Sequence, residues 1–297
     1  MTPLSIHLAA LGMAILILFC MGTQVSLASL RRGNVDWRTL AVICLGQWVL
    51  LPGVVLLFLM VAGNAEQEVL AIVIIALSPG GVFACAALYL IGINFTAAVA
   101  AILLLEVLGA LVLHALVDML VATSMFSPGL LQSSLRDISQ SQLTLLFLPL
   151  LVGVAMRFMW PALGERLART TRVLIWIGYA TVAAYALSLK AHFSYRIDVM
   201  SSLPVAVGII FCGVAAGFVV YLLSHYVLRL RGHDALLAST LIGLQGPGPA
   251  IFLTLLHGDE WTELAAITIN YALLLPLLAI FWQFMSKTRW GTGILPR

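Results

Sequence analysis

Charge is what this sequence has least of. Fifteen basic and 12 acidic residues make up 9% of its 297 positions, against about a quarter in a soluble domain. Apolar residues account for 62%, and so few charges would leave large apolar patches facing water. That shortage argues against a soluble enzyme and against a disordered chain. The net charge of +3 is too small to draw a polyanion, so no nucleic-acid partner is expected. Cysteine is scarce too. Cys20, Cys44, Cys85 and Cys212 lie far apart inside apolar stretches, with no Cys-x-x-Cys or Cys/His cluster, and they read as small packing residues rather than metal ligands or disulfides. Membrane enzymes are not expected either, because Gly-x-Ser-Gly, paired-Asp and Asp-rich motifs are missing and the six histidines are scattered.

Long apolar runs are what the chain has in quantity. A transmembrane helix needs about 20 largely apolar residues, and nine stretches qualify: 4–29, 39–63, 69–91, 95–124, 143–161, 173–189, 203–228, 235–257 and 264–285. The first is longer than a signal-peptide core and follows no basic segment, so it is expected to be retained. The expected fold is an all-α polytopic membrane protein, a single membrane domain whose partner is the lipid bilayer. Arg31, Arg32, Arg38, Arg157, Arg166, Arg169, Arg172, Arg229, Arg231, Lys287, Arg289 and Arg297 then fall on one side, 12 of the 15 basic residues. By the positive-inside rule that side is the cytoplasm. The expectation is a plasma membrane protein (inner membrane in a bacterium) with its N-terminus outside and its C-terminus inside.

Two spans carry breaks at mid-depth. The third contains Pro79, Gly80 and Gly81, and the eighth contains Gly243, Gly246, Pro247, Gly248 and Pro249. Proline removes a donor and clashes with the preceding turn, while glycine frees φ. A lone proline would signify a kink, but these breaks are multiple, central and paired. Irregular backbone at that depth must be received by protein or by a water-lined cavity. The broken spans run in opposite directions, and each is followed by one long span. The chain therefore reads as an inverted repeat, with residues 1–125 as the first unit and 142–287 as the second. Each half-helix that starts at a break exposes amide groups and the positive end of its dipole. Two such ends suit an organic anion, with Pro79, Gly80, Gly81, Gly246 and Gly248 around it. The carbonyl ends facing them suit a cation.

Phe19-Cys20-Met21-Gly22, Gly46-Gln47-Trp48-Val49-Leu50-Leu51-Pro52, Ser78-Pro79-Gly80-Gly81 and Ile242-Gly243-Leu244-Gln245 stand in the order and spacing of the bile acid:sodium symporter family, which the chain resembles over nearly its whole length. The resemblance implies a core domain around two crossing broken helices, a panel domain, alternating access, and an organic anion or bile acid carried with sodium. It also implies sodium ligands at positions that here hold Ala84, Cys85, Leu241 and Gly246, with Ala98 and Ile102 on the following helix. Sodium is a hard cation that wants several oxygens. Only Gln47, Gln245 and backbone carbonyls remain to supply them.

Glu106 lies mid-span, where a carboxylate reads as functional. It shares a helix face with Ala98 and Ile102, and burial would let it bind and release a proton; the alternative is a protonated carboxyl bonded to a neighbouring helix. His114 and Asp118, four residues apart, read as an interfacial pair. Asn94 reads as a helix cap. Asn270 reads as cavity-lining or as packing glue. Trp37, Trp261 and Trp290 read as interfacial anchors. The function expected is a secondary transporter of a small organic anion, with weakened or absent sodium coupling and proton coupling through Glu106. The alternatives are a sodium-coupled organic anion or bile acid symporter, and an anion sensor that binds without moving its ligand. No cofactor is expected, sodium being the one candidate.

Overall fold

The computed structural model describes residues 3–25, 36–62, 66–78, 80–92, 96–105, 108–109, 148–193, 201–246, 250 and 262–287. Every regular element among them is helical. In chain order they are α1 (Pro3–Gly22), α2 (Trp37–Leu45), a π turn (Gly46–Leu50), α3 (Leu51–Ala62), α4 (Glu66–Leu77) and α5 (Gly81–Ile91). Then follow α6 (Thr96–Leu105), α7 (Leu148–Met159), α8 (Pro161–Phe193), α9 (Leu203–Leu222) with a second π turn (Leu223–Val227), α10 (Gly232–Gly243) and α11 (Thr262–Lys287).

Four stretches are long and apolar enough to cross a bilayer: Trp37–Val61, Arg169–Ser188, Leu203–Val227 and Thr262–Phe284. They coincide with the second, sixth, seventh and ninth spans expected from hydropathy. The side chains on their outer faces, among them Leu57, Met60, Phe211 and Phe284, are apolar and exposed, which is stable only where lipid replaces water. The chain is a multi-pass membrane protein.

One element differs from its expected bounds. Hydropathy starts the sixth span at Val173, whereas α8 starts at Pro161 and runs for 33 residues. Proline suits the first helical position because its missing donor would go unused there. Arg166, Arg169 and Arg172 thus sit exposed on a helix instead of in a connecting loop. At 1.5 Å per residue the helix is about 50 Å long, so its basic end extends beyond a hydrocarbon core of about 30 Å.

Two groups of helices are visible. The helices α1, α7 and α8 pack on one another, and the contact is closest where α1 meets α7. A methyl group on Gly153 would lie 2.1 Å from the Phe19 carbonyl, and one on Gly22 would lie 2.2 Å from that of Leu150. Small residues let two membrane helices approach backbone to backbone, which supplies the dispersion contact that lipid does not displace. The second group is built around α9 and α10, with α2, α3, α4, α5 and α11 packed about them. A hydrophobic core rich in alanine, isoleucine and leucine fills it and continues into the first group through Ile17, Met21, Leu150, Ile175 and Tyr179.

Candidate functional site

The first break lies between α4, which ends at Leu77, and α5, which starts at Gly81. Gly81 has φ 46°, a left-handed conformation that glycine adopts without the Cβ penalty. The N–H groups of Phe83 and Ala84 bond back to Gly80 O, which winds the first turn of α5 directly at the break. The helix ends at Gly92, also left-handed at φ 82°, whose N–H returns to Leu88 O and Tyr89 O. At the second break α10 stops at Gly243 and Leu244 turns to extended backbone at φ −113°, ψ 100°.

The two breaks cross. Gly246 N–H points to Ser78 O at 3.4 Å, and a Cβ on Gly80 would meet Leu244 O at 2.2 Å. Gly80 is therefore occupied by close approach to the opposite chain segment. Tyr271 on α11 is buried and donates its hydroxyl to Gln245 O at 3.2 Å, which satisfies one carbonyl freed by the second break.

Gln47 and Gln245 meet at this crossing. Gln47 Nε2 lies 3.3 Å from Gln245 Oε1 and 3.5 Å from Ala76 O, and Gln245 Nε2 donates to Ile242 O. Both side chains are buried. One amide thereby links the stretch before the first break to the segment after α10. Gln47 Oε1 is left buried without a partner, an arrangement that costs about 1–3 kcal/mol unless a ligand or water completes it.

The backbone explains how Gln47 reaches so far. Pro52 has no N–H, so it makes no bond to Trp48, and its ring would clash with that carbonyl in an ordinary α-helix. The helix responds with a π turn, in which Leu51 N–H reaches back five residues to Gly46 O. Such turns hold one extra residue and are frequent at functional sites.

Ala84, Cys85, Ala98, Ile102 and Leu241 are all buried in the one hydrophobic core. Gly246 donates its N–H to Ser78 O. None of these side chains carries an oxygen, whereas a hard cation wants several. Among the described residues no group of three His, Cys, Asp or Glu side chains converges.

Of the residues singled out from sequence, Gly80, Gly81, Gly246, Gln47 and Gln245 are brought together. Pro79, Gly248 and Glu106 lie outside the described residues, as do His114, Asp118 and Asn94. Asn270 is buried on α11 and donates to Ser202 Oγ at 3.0 Å, just before α9 begins, a tie between two helices. Sequence reasoning missed the polar side chains that face the three-helix group. Tyr179 on α8 donates to Phe83 O on α5 at 3.2 Å. Gln24, just past α1, lies 3.0 Å from Thr171 Oγ1 on α8 and 3.5 Å from Tyr89 Oη on α5. A count of hydroxyl and amide side chains inside apolar spans would have flagged them.

The sodium bile acid symporter family model matches residues 10–203, a stretch that includes Gln47, the first break, Tyr89, Thr171 and Tyr179. No curated protein matches the chain. The close contact between the first break and the segment after α10 accords with that match, although that segment lies beyond it. The chain belongs to the sodium bile acid symporter family, whose members are membrane transporters.

Proposed function

We propose that the protein moves a small organic anion across the membrane by alternating access, without the sodium coupling of its family name. On this reading the chain has nine spans in an inverted repeat, with units at 1–125 and 142–287, an outside N-terminus and a cytoplasmic C-terminus. The helices α1, α7 and α8 are the panel, and the group around α9 and α10 is the core. The single observation that carries the proposal is the crossing itself, where Gln47 Oε1 is buried and unpartnered between two broken helices.

The chemistry follows from that geometry. The first turn of α5 starts at the crossing, and helix N-termini favour negative charge. An anion held there contacts backbone around Pro79, Gly80, Gly81, Gly246 and Gly248. The buried apolar side chains at Ala84, Cys85, Ala98, Ile102 and Leu241 support the loss of sodium sites. Glu106, one turn beyond Ile102, takes over the charge balance as a carboxyl that binds a proton with the anion and releases it on the far side. Gln47 and Gln245 stay neutral and hold the crossing together where the family places cations.

Proteoliposome uptake of a panel of radiolabelled organic acids tests this. The expected result is accumulation that persists when sodium is replaced by choline and rises with an inward proton gradient. Glu106→Gln should retain uptake but lose its dependence on that gradient. Sodium-dependent accumulation would overturn the coupling assignment, and saturable binding without flux would make the protein a sensor.

A further inference from the structure

The seam between the three-helix group and the core has two unlike ends. At one end Tyr185 and Ala186 on α8 pack with Ile269 and Ala272 on α11, an apolar cluster to which Val182 and Leu273 add. At the other end, beside exposed Arg169 and Arg172, the contact is polar. Gln24 draws Thr171 and Tyr89 together, and Thr171 also bonds to Leu167 O at 3.3 Å. About midway along the seam Tyr179 donates to Phe83 O, and its ring lies 5.9 Å from that of Phe83.

These two hydrogen-bonded contacts share a target. Phe83 stands in the first turn of α5 and Tyr89 in its last, so the half-helix that begins at the first break is held to the panel near both ends. Beside Tyr179 lies a small, partly open pocket of about 30 Å³, lined by Met13, Ile17, Phe83, Ala86, Tyr179 and Val182. Side chains that border a void lack partner atoms on that side, so parting them forfeits fewer dispersion contacts.

We propose that Gln24, Thr171, Tyr89 and Tyr179 form a gate along the basic half of the seam, from its middle to its basic end, a latch that holds α5 against α1 and α8 and parts when that half opens. The proposal rests on the panel and core reading given above. The latch suits a reversible gate. Neutral side-chain bonds exchange readily with water, and each contributes only modestly to stability. A state in which water enters the seam loses little, because the hydroxyls and the Gln24 amide rehydrate. The cluster at the opposite end is built largely of apolar side chains and separates at the expense of buried apolar surface. The basic end can be weakened by removing single oxygen atoms.

Cys85 supplies a built-in reporter. It is buried on α5, two residues beyond Phe83. With Cys20, Cys44 and Cys212 replaced by alanine, the full-length protein in nanodiscs carries one thiol. Its rate of reaction with a small maleimide then measures how often the seam opens. Tyr179→Phe keeps the ring and removes one hydroxyl. That variant and Gln24→Leu should each raise the rate about fivefold, the shift expected from one lost hydrogen bond. Tyr271→Phe, which removes a bond inside the core, should leave the rate unchanged. A single sharp elution peak shows that each variant is folded. Deuterium exchange over Gly81–Ile91 gives a second readout, expected to quicken in the two latch variants and not over α9. Labelling and exchange at wild-type rates in both latch variants would overturn the proposal. Neither measurement needs a substrate. Failed anion uptake with normal latch behaviour would remove the transport reading and leave the latch standing.

Discussion

The crossing of the breaks and the seam between the three-helix group and the second group are both places where distant parts of the chain meet, yet they are built from different materials. At the crossing, backbone lies against backbone: Gly80 sits under the Leu244 carbonyl, and Gly246 N–H faces Ser78 O. Along the seam, side-chain oxygens and one amide make the polar contact, with a small pocket beside Tyr179. Backbone contacts have no rotamers with which to yield, so a methyl group added there must displace a whole segment. Side-chain contacts can rotate away and find water. A carrier that rocks one bundle on another needs both: a part that keeps its shape and a part that comes undone.

The contrast can be broken most directly at Gly80. Gly80→Ala places a Cβ 2.2 Å from Leu244 O and 2.4 Å from the Ala84 Cβ. It should destabilise the protein by about 3 kcal/mol or abolish recovery of folded material, as read from thermal unfolding in detergent. A wild-type melting curve would show that the crossing has slack. Gly46→Ala gives a finer test within the same region. Its new methyl would meet the Ile242 Cδ1 atom at 2.1 Å, the far end of a side chain that can change rotamer, so the expected loss is about 1 kcal/mol. Equal losses at Gly46 and Gly80 would deny the distinction between yielding and unyielding neighbours. The smallest effect is expected at the seam. Tyr179→Phe should cost less than about 1 kcal/mol in the same melt, even though it opens the seam in the labelling assay.

Much of this arrangement was legible in the sequence. The breaks announced themselves, because proline and glycine act locally and no distant partner is needed to interpret Pro79-Gly80-Gly81. The meeting of Gln47 with Gln245 was not legible from pattern alone, since 198 residues separate them; similarity to a known family drew attention to both. Tyr179, Tyr89 and Thr171 escaped notice because a hydroxyl inside an apolar span gives no periodic signal, and their partners lie 96, 65 and 147 residues away. The early start of α8 had a signal that went unread. Arg166, Arg169 and Arg172 recur every third residue, which fits a helix with a solvated face better than a loop. The π turn had one as well, in Pro52 five residues after Gln47, since an interior proline must break, kink or widen the helix.

That widened turn carries an implication for how the protein can change over time. An extra residue accommodated between Gly46 and Leu50 sets the angular phase of everything on either side of it. Deleting one residue there would restore a regular pitch and swing the two flanks by about 100° relative to each other, taking the glutamine's aim off its counterpart on the far segment. Substitutions along this helix can be absorbed one at a time, whereas a change in residue count cannot. The polar junction at the centre of the molecule is guarded less by the identity of its neighbours than by the number of them.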